Sequence, residues 1–217
     1  MNEKSLLTNC IAIEGLTFAQ VAMQLKTQPA AATIMRKGWV GQAIERLLGL
    51  ENNSQAGPDF IQLGIELKTL PLNAAMKPTE STFVTGISLL NLHKETWVTS
   101  RCFAKLKRVL WVPVEGDKSI PFLARRIGKA FLWSPNIDEE QVLQSDWTFL
   151  TTLISLGRTS LIDAKLGEYL QVRPKAATGK SLTFGYNEKG QKELTLPRGF
   201  YLRTSFTAKI FKNQYIG

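Results

Sequence analysis

The sequence predicts a mixed α/β protein, an α+β arrangement of helices flanking a mixed sheet, and three observations support that class. Apolar stripes with helical period alternate along the chain with short runs rich in β-branched and aromatic residues. Capping signals stand ahead of two of the stripes. From Arg158 onward the chain turns rich in loops and short strands, which gives the helical body a basic C-terminal arm. With 217 residues and no repeat or low-complexity linker, one domain of two lobes is expected.

Each element has its own signal. Thr17 followed by Gln20 reads as a capping box, and Phe18, Val21, Ala22 and Leu25 form the stripe of a helix. A second helix is predicted from about Trp39 to Leu48, burying Trp39, Val40, Ala43, Ile44 and Leu47. Glu45 lies about 100° round from Ile44, so it can flank a site while its helix packs inside. Residues 59–70 read as strand or hairpin, Phe83–Leu89 as a strand, and RVLWVPVEG (108–116) as another. Between the last two, Trp97 to Lys107 reads as helical or irregular. Ser134 and Pro135 read as the cap and first-turn proline of a helix, and Asp138, Glu139 and Glu140 suit its positive end. That assignment accounts for the acidic run better than metal binding does. Leu143, Trp147, Leu150 and Ile154 carry the core face until Gly157 stops it. YLQVRPKAATGK then ends a strand in a basic, small-residue loop. ELTLPRGFYLR reads as two short strands about a Pro-Arg-Gly turn, and SFTAKIFKNQY as a last helix.

Composition excludes several function classes. Hydrophobic residues make up 44%, which suits a folded core, and no apolar run approaches the roughly 18–20 residues of a membrane span. The first fifteen residues carry one lysine and no long apolar centre, so a cytoplasmic protein is expected. Cys10 and Cys102 stand apart and are expected as reduced thiols. His93 is the single histidine, which leaves histidine-built zinc sites, Cys-His proteases and two-histidine nucleases without their ligands or bases. Any metal chemistry falls to oxygen ligands, hence to magnesium or manganese. Net charge is +9 and unevenly placed: residues 1–100 balance to zero, and residues 101–217 hold 19 Lys and Arg against 10 Asp and Glu. A polyanion is the indicated partner, most simply nucleic acid; an anionic membrane surface is the runner-up, without an amphipathic basic helix to support it.

The stretch PDFIQLGIELK (58–68) places Asp59, Glu66 and Lys68 among apolar residues. Glu66 and Lys68 alternate with Ile65 and Leu67, which an ordinary half-buried strand would also do. The functional alternative is phosphodiester hydrolysis, which needs a positioned water, a metal and positive charge near the scissile phosphate. Acid, acid and a lysine one pleat further on the same face fit that need, and Glu45 would add a third carboxylate. This is the pattern of PD-(D/E)xK nucleases, with its proline present as Pro58.

The resemblance then widens. KGWVGQAIERLLG, PDFIQLGIELKTLPL, KLKRVLWVPVEG, GEYLQVRPKAA and LTLPRGFYL together resemble the MutH family of DNA mismatch-repair endonucleases along nearly the whole chain. The resemblance implies a restriction-endonuclease-like core with two arms around a DNA-binding cleft. It implies one endonuclease domain over 1–217, with an N-terminal lobe (about 1–105) holding most acidic active-site residues and a basic C-terminal lobe (about 106–217) with base-reading loops. It implies nicking of the unmethylated strand at hemimethylated GATC sites, 5′ to the G, by a monomer acting on double-stranded DNA and activated by MutL, with MutS upstream. The cofactor implied is Mg2+, with Mn2+ substituting and Ca2+ binding without supporting cleavage. Residue by residue, Asp59, Glu66 and Glu45 would hold metal, Lys68 would be the catalytic lysine, as a base for the attacking water or as an electrostatic aid, and Lys105 a second active-site lysine. Lys37 would contact phosphate. Arg173 would read guanine or clamp a phosphate, Lys175 would contact a phosphate or base edge, and Tyr201 would sense the adenine methyl group. Phe83 would lie against DNA, with core packing as its alternative. Two other functions stay open: a type II restriction enzyme cutting both strands as a dimer, and a DNA-binding module whose acids are structural.

Overall fold

A computed structural model describes residues 1–29, 33–50, 57–175 and 181–216, with side chains for all of these but 33–37 and 216. In chain order its helices and strands are α1 (Glu3–Ile13), α2 (Phe18–Gln24), α3 (Thr33–Leu47), β1 (Glu66–Leu72), β2 (Thr82–Gly86), α4 (Arg101–Leu106), β3 (Val109–Glu115), β4 (Phe131–Trp133), α5 (Ile137–Ser155), β5 (Leu170–Pro174), β6 (Thr183–Tyr186), β7 (Lys192–Thr195), β8 (Arg198–Leu202) and α6 (Thr204–Ile216). The fold is mixed α/β, as expected. The chain forms two compact units, one of Met1–Glu80 with Lys107–Ser134 and the other of Ser81–Leu106 with Pro135–Gly217. No helix among the described residues is long and apolar enough to cross a membrane.

The first unit is built on the sheet β1-β3-β4, in which β1 runs parallel to β3 and β4 antiparallel to it. Central β3 is buried from Val109 through Val114, the continuous apolar run expected of a parallel strand covered on both faces. Leu67 of β1 pairs with Leu110, and both join a core with Ile44 of α3, Phe18 and Val21 of α2 and Leu6, Cys10 and Ile13 of α1. Thr17 caps α2 through the predicted box with Gln20. Helix α1 escapes the sequence reading, although Asn2 and Ser5 form a capping box of their own. Arg108, just ahead of β3, ties α1 down through a two-pronged ion pair to Glu3, at 2.9 and 2.6 Å. β4 is also unforeseen, and α3 starts earlier than the predicted Trp39.

The second unit holds the antiparallel sheet β2-β8-β5 and the hairpin β6-β7. Leu170, Val172, Phe200 and Leu202 are buried on one face of the sheet, and the core of this unit also takes Leu143, Trp147, Leu150 and Ile154 of α5 and Phe206, Ile210 and Phe211 of α6. Asp146 of α5, only 8% exposed, accepts the backbone N–H groups of Glu168, Tyr169 and Leu170 at 2.7–3.0 Å, which seats the start of β5.

Three sequence expectations are corrected here. The cap of α5 is Asn136, whose side chain accepts from Glu139 N–H; Ser134 instead donates its hydroxyl to the Lys107 carbonyl at 2.8 Å. Gly157 does stop the helix, with φ +70°. The predicted strand from Phe83 to Leu89 ends at Gly86, with a bulge between Phe83 and Thr85. Pro-Arg-Gly is not a turn, because Arg198 and Gly199 are already in β8, which pairs with β2 and β5 rather than β7. The basic loop after Lys175 lies outside the described residues. Both cysteines are free, as expected, and both are buried; burial pushes the Cys10 thiol up to about 11 and raises Cys102 as well.

Candidate active site

In the first unit, the acidic stretch folds into a tight return. A short 3-10 turn at Ile61–Leu63 follows Asp59. Gly64 takes φ +67°, a left-handed conformation that glycine adopts without a Cβ penalty, and Phe60 bridges back to Ile65. This return brings the Asp59 carboxylate onto β1, where Oδ2 accepts from Leu67 N–H at 2.8 Å. Neighbouring Glu66 N–H donates instead to the Arg108 carbonyl at the head of β3. Successive strand amides point to opposite sides, so Asp59 sits on the outer edge of β1, away from β3.

Glu66 and Lys68 share a strand face one pleat apart, as the sequence predicts. Lys68 Nζ lies 2.5 Å from Glu66 Oε1, and the two side chains are 14% and 3% exposed. Their register partners on β3 are Lys68↔Trp111 and Glu66↔Val109, both fully buried. Walled by apolar side chains, the pair is screened little by water. Glu45 stands half-buried on α3, which packs against β1. Among the described residues no three His, Cys, Asp or Glu side chains form a group that could hold an ion. The donor chemistry still suits magnesium, which takes one or two carboxylates and completes its shell with waters and substrate phosphate. Asp59 and Glu66 are such a pair, joined through a single strand. Lys37 falls within α3, and its side chain lies outside the described residues. Lys105 belongs to the last turn of α4, in the second unit.

In the second unit, four residues singled out separately in the sequence meet on one sheet face. Phe83 of β2 pairs with Tyr201 of β8, with ring centroids 5.3 Å apart. Lys175 Nζ lies 3.6 Å from the centroid of the Phe83 ring, and the Arg173 guanidinium 5.7 Å from that of Tyr201. Burial pushes the Tyr201 hydroxyl above its usual pKa, while the Arg173 charge opposes that shift. Arg173 also donates to Ser81 Oγ at 2.8 Å.

Two contributors escape the sequence reading. Ser81 carries no local signal of its role. Gly199 is punctuation in a turn by sequence, yet in β8 its missing side chain makes room for Phe83: a Cβ there would lie 2.8 Å from Phe83 Cε2 and 3.1 Å from the Thr85 carbonyl. Gly199→Ala is therefore expected to displace the Phe83 ring and cost about 1–3 kcal/mol by overpacking, read by urea unfolding. Unchanged stability would show that Phe83 has room to move.

A family model described as "DNA mismatch repair enzyme MutH" matches residues 48–146, a span that contains Asp59, Glu66, Lys68, Phe83 and Lys105. Curated relatives match further. The "DNA mismatch repair protein MutH" of Vibrio campbellii is 46% identical over 99% of this chain and 95% of its own length. Those of Vibrio cholerae (classical Ogawa strain) and Serratia proteamaculans are 46% and 45% identical, over 98% and 99% of this chain and 96% and 94% of their own lengths.

Proposed function

The chain belongs to the MutH family of DNA mismatch repair enzymes, and on that premise we propose that it is a magnesium-dependent endonuclease nicking the unmethylated strand at hemimethylated GATC sites. The observation that carries the reading is the joining of Asp59, Glu66 and Lys68 on one strand end, with a basic and aromatic face in the other unit.

The reaction breaks one P–O3′ bond 5′ to the G. Water attacks phosphorus and loses its proton, and the deoxyribose O3′ leaves with a proton as a hydroxyl, so the G keeps the 5′-phosphate. A bound divalent ion would supply Lewis-acid polarisation of the scissile phosphate and a lowered pKa for water. Asp59 and Glu66 would hold it, with Glu45 as a further acidic group and Mn2+ as a substitute. The Leu67 N–H bond fixes Asp59 at the strand edge. Lys68, which contacts Glu66, would offset charge that grows on the phosphate oxygens. Lys105 would add positive charge, and Lys37 would grip the backbone. Arg173, Lys175, Phe83 and Tyr201 form the reader, Arg173 forking onto guanine and Tyr201 meeting the adenine methyl position. The protein is proposed to act in the cytoplasm as a monomer, activated by MutL after MutS.

The test is a strand-resolved cleavage assay with magnesium on GATC duplexes that are unmethylated, hemimethylated on either strand, or fully methylated, with and without MutL. Cutting confined to unmethylated strands and enhanced by MutL is expected. Double-strand cutting blind to methylation would favour a type II enzyme, and tight binding without cutting would leave a DNA-binding module. Tyr201→Ser is expected to reduce the preference between methylated and unmethylated strands by roughly tenfold or more, the scale on which a pocket senses one methyl group. An unchanged preference would return Tyr201 to a packing role.

A further inference from the structure

The reader face contains a polar residue that neither packing nor the family resemblance accounts for. Tyr201 pairs with Phe83 on one side and with Gln171 on the other, so the three stand abreast across β2, β8 and β5. Directly opposed residues of an antiparallel pair share a face, with Cβ atoms about 4.5–5.5 Å apart. Arg173 lies two residues beyond Gln171 and pairs with Gly199, so it occupies the same face. Gln171 therefore neighbours Tyr201 across the sheet and Arg173 along its own strand.

Packing does not explain the choice of glutamine. The residue is 7% exposed, and among the described residues no hydrogen bond engages its amide. A strand site this buried favours valine or isoleucine when shape alone decides. Its amide atoms are not among the fully buried side-chain atoms left without a partner, so the end of this otherwise buried side chain stays open to one.

We propose that the partner is an adenine edge of the GATC site, which makes Gln171 a specificity-determining residue; this rests on the GATC reading above. Adenine presents an N6–H donor beside an N7 acceptor in the major groove, and the glutamine amide complements that pair: Oε1 accepts from N6–H while Nε2 donates to N7. Guanine presents two acceptors there and matches the fork of Arg173 instead. One strand face thus carries the two side chains that read A and G. Arg173 reaches back to Ser81 and over Tyr201, and its move to guanine uncovers the row that Gln171 floors. N6-methylation replaces one of the two N6 hydrogens, so the same contact senses the mark assigned to Tyr201.

The test uses the full chain with magnesium and unmethylated GATC duplexes in which 7-deazaadenine, lacking the N7 acceptor, replaces adenine in one strand at a time. Cleavage of the ordinary duplex by the native chain comes first, and its absence overturns the GATC reading and this role together. Given that cleavage, the analogue in one of the strands is expected to lower kcat/KM roughly 5- to 100-fold, the range for one good bidentate base contact. Gln171→Ala should lower cleavage of the ordinary duplex by a similar factor and then be indifferent to the analogue. Gln171→Met, similar in length but without the amide, should behave the same way and guards against a variant that packs badly. A native chain indifferent to 7-deazaadenine in both strands overturns the proposal with the GATC reading intact. So do losses from variant and analogue that multiply, or native cleavage by Gln171→Met.

Discussion

Replacing Asp59 by Asn is expected to lower the rate of GATC cleavage by about a thousandfold or more, while DNA affinity and the unfolding midpoint stay close to native. The substitution is chosen for what it keeps. Asn Oδ1 can still accept from Leu67 N–H, the bond that holds residue 59 on the edge of β1, so the tight return through Gly64 survives. What disappears is the negative charge that would help to hold the divalent ion. Metal-assisted charge stabilisation is worth several kcal/mol, and about 4 kcal/mol corresponds to a factor of about a thousand in rate. Asp59→Ala separates the two contributions: it should lose the same activity and in addition about 1 kcal/mol of stability from the missing bond to Leu67. Single-turnover cleavage on unmethylated GATC duplex, with binding measured in Ca2+, would read both quantities. An Asn variant that cleaves within tenfold of native would reduce Asp59 to an edge cap and leave the metal to other groups.

The Asp59–Lys68 stretch is legible in the sequence because its logic is local. Period-two alternation puts Glu66 and Lys68 on one face whatever the rest of the chain does, and the structure places them 2.5 Å apart. Asp59 is harder, since seven residues separate it from Glu66 and its approach depends on the left-handed Gly64. The proposed reader face is not legible from residue pattern at all. Phe83, Gln171, Arg173 and Tyr201 become neighbours only through the pairing of β2 and β5 with β8, and no local periodicity encodes pairings between strands so far apart in the chain. Family resemblance points to three of those four one by one; the register makes them a surface and adds the fourth.

The errors in the fold have the same origin. Pro197, Arg198 and Gly199 have turn composition, but pairing of Gly199 with Gly86 and Arg173 overrides that preference and holds it in a strand. Ser134 and Asn136 are both good caps, and Lys107 decides between them by taking the Ser134 hydroxyl. Helix α1 buries only Leu6, Cys10 and Ile13, a stripe too thin to stand out without the ion pair that Arg108 supplies from just ahead of β3. β4 is three residues long and exists by pairing with β3. In each case a long-range contact selects among locally acceptable conformations.

Asp146→Ala is expected to destabilise the second unit by about 3 kcal/mol or more, the largest stability loss anticipated for a single polar substitution here. The carboxylate accepts from three consecutive amides, Glu168, Tyr169 and Leu170, and Leu170 and Asp146 are both buried. Hydrogen bonds to a charged acceptor contribute about 1.5–3 kcal/mol each, and a buried N–H left without a partner costs about 1–3 kcal/mol. Water entering the space vacated by the side chain would recover part of that, which is why the expected loss is nearer one such bond and one orphaned amide than three of each. Asp146→Asn should fall between native and Ala, because the amide keeps one acceptor oxygen but turns an NH2 group toward N–H donors. Urea unfolding of the three proteins gives the order directly, and an Ala variant within about 1 kcal/mol of native would sink the assignment. The consequence for function follows from where the latch sits. Leu170 is one residue before Gln171 and three before Arg173, so loosening the start of β5 disorders the reader before it touches Asp59, Glu66 or Lys68. At temperatures where Asp146→Ala is still folded, GATC affinity should therefore fall further than the single-turnover rate at saturating DNA. A loss confined to that saturated rate, with affinity kept, would mean that the reader strand does not depend on this latch.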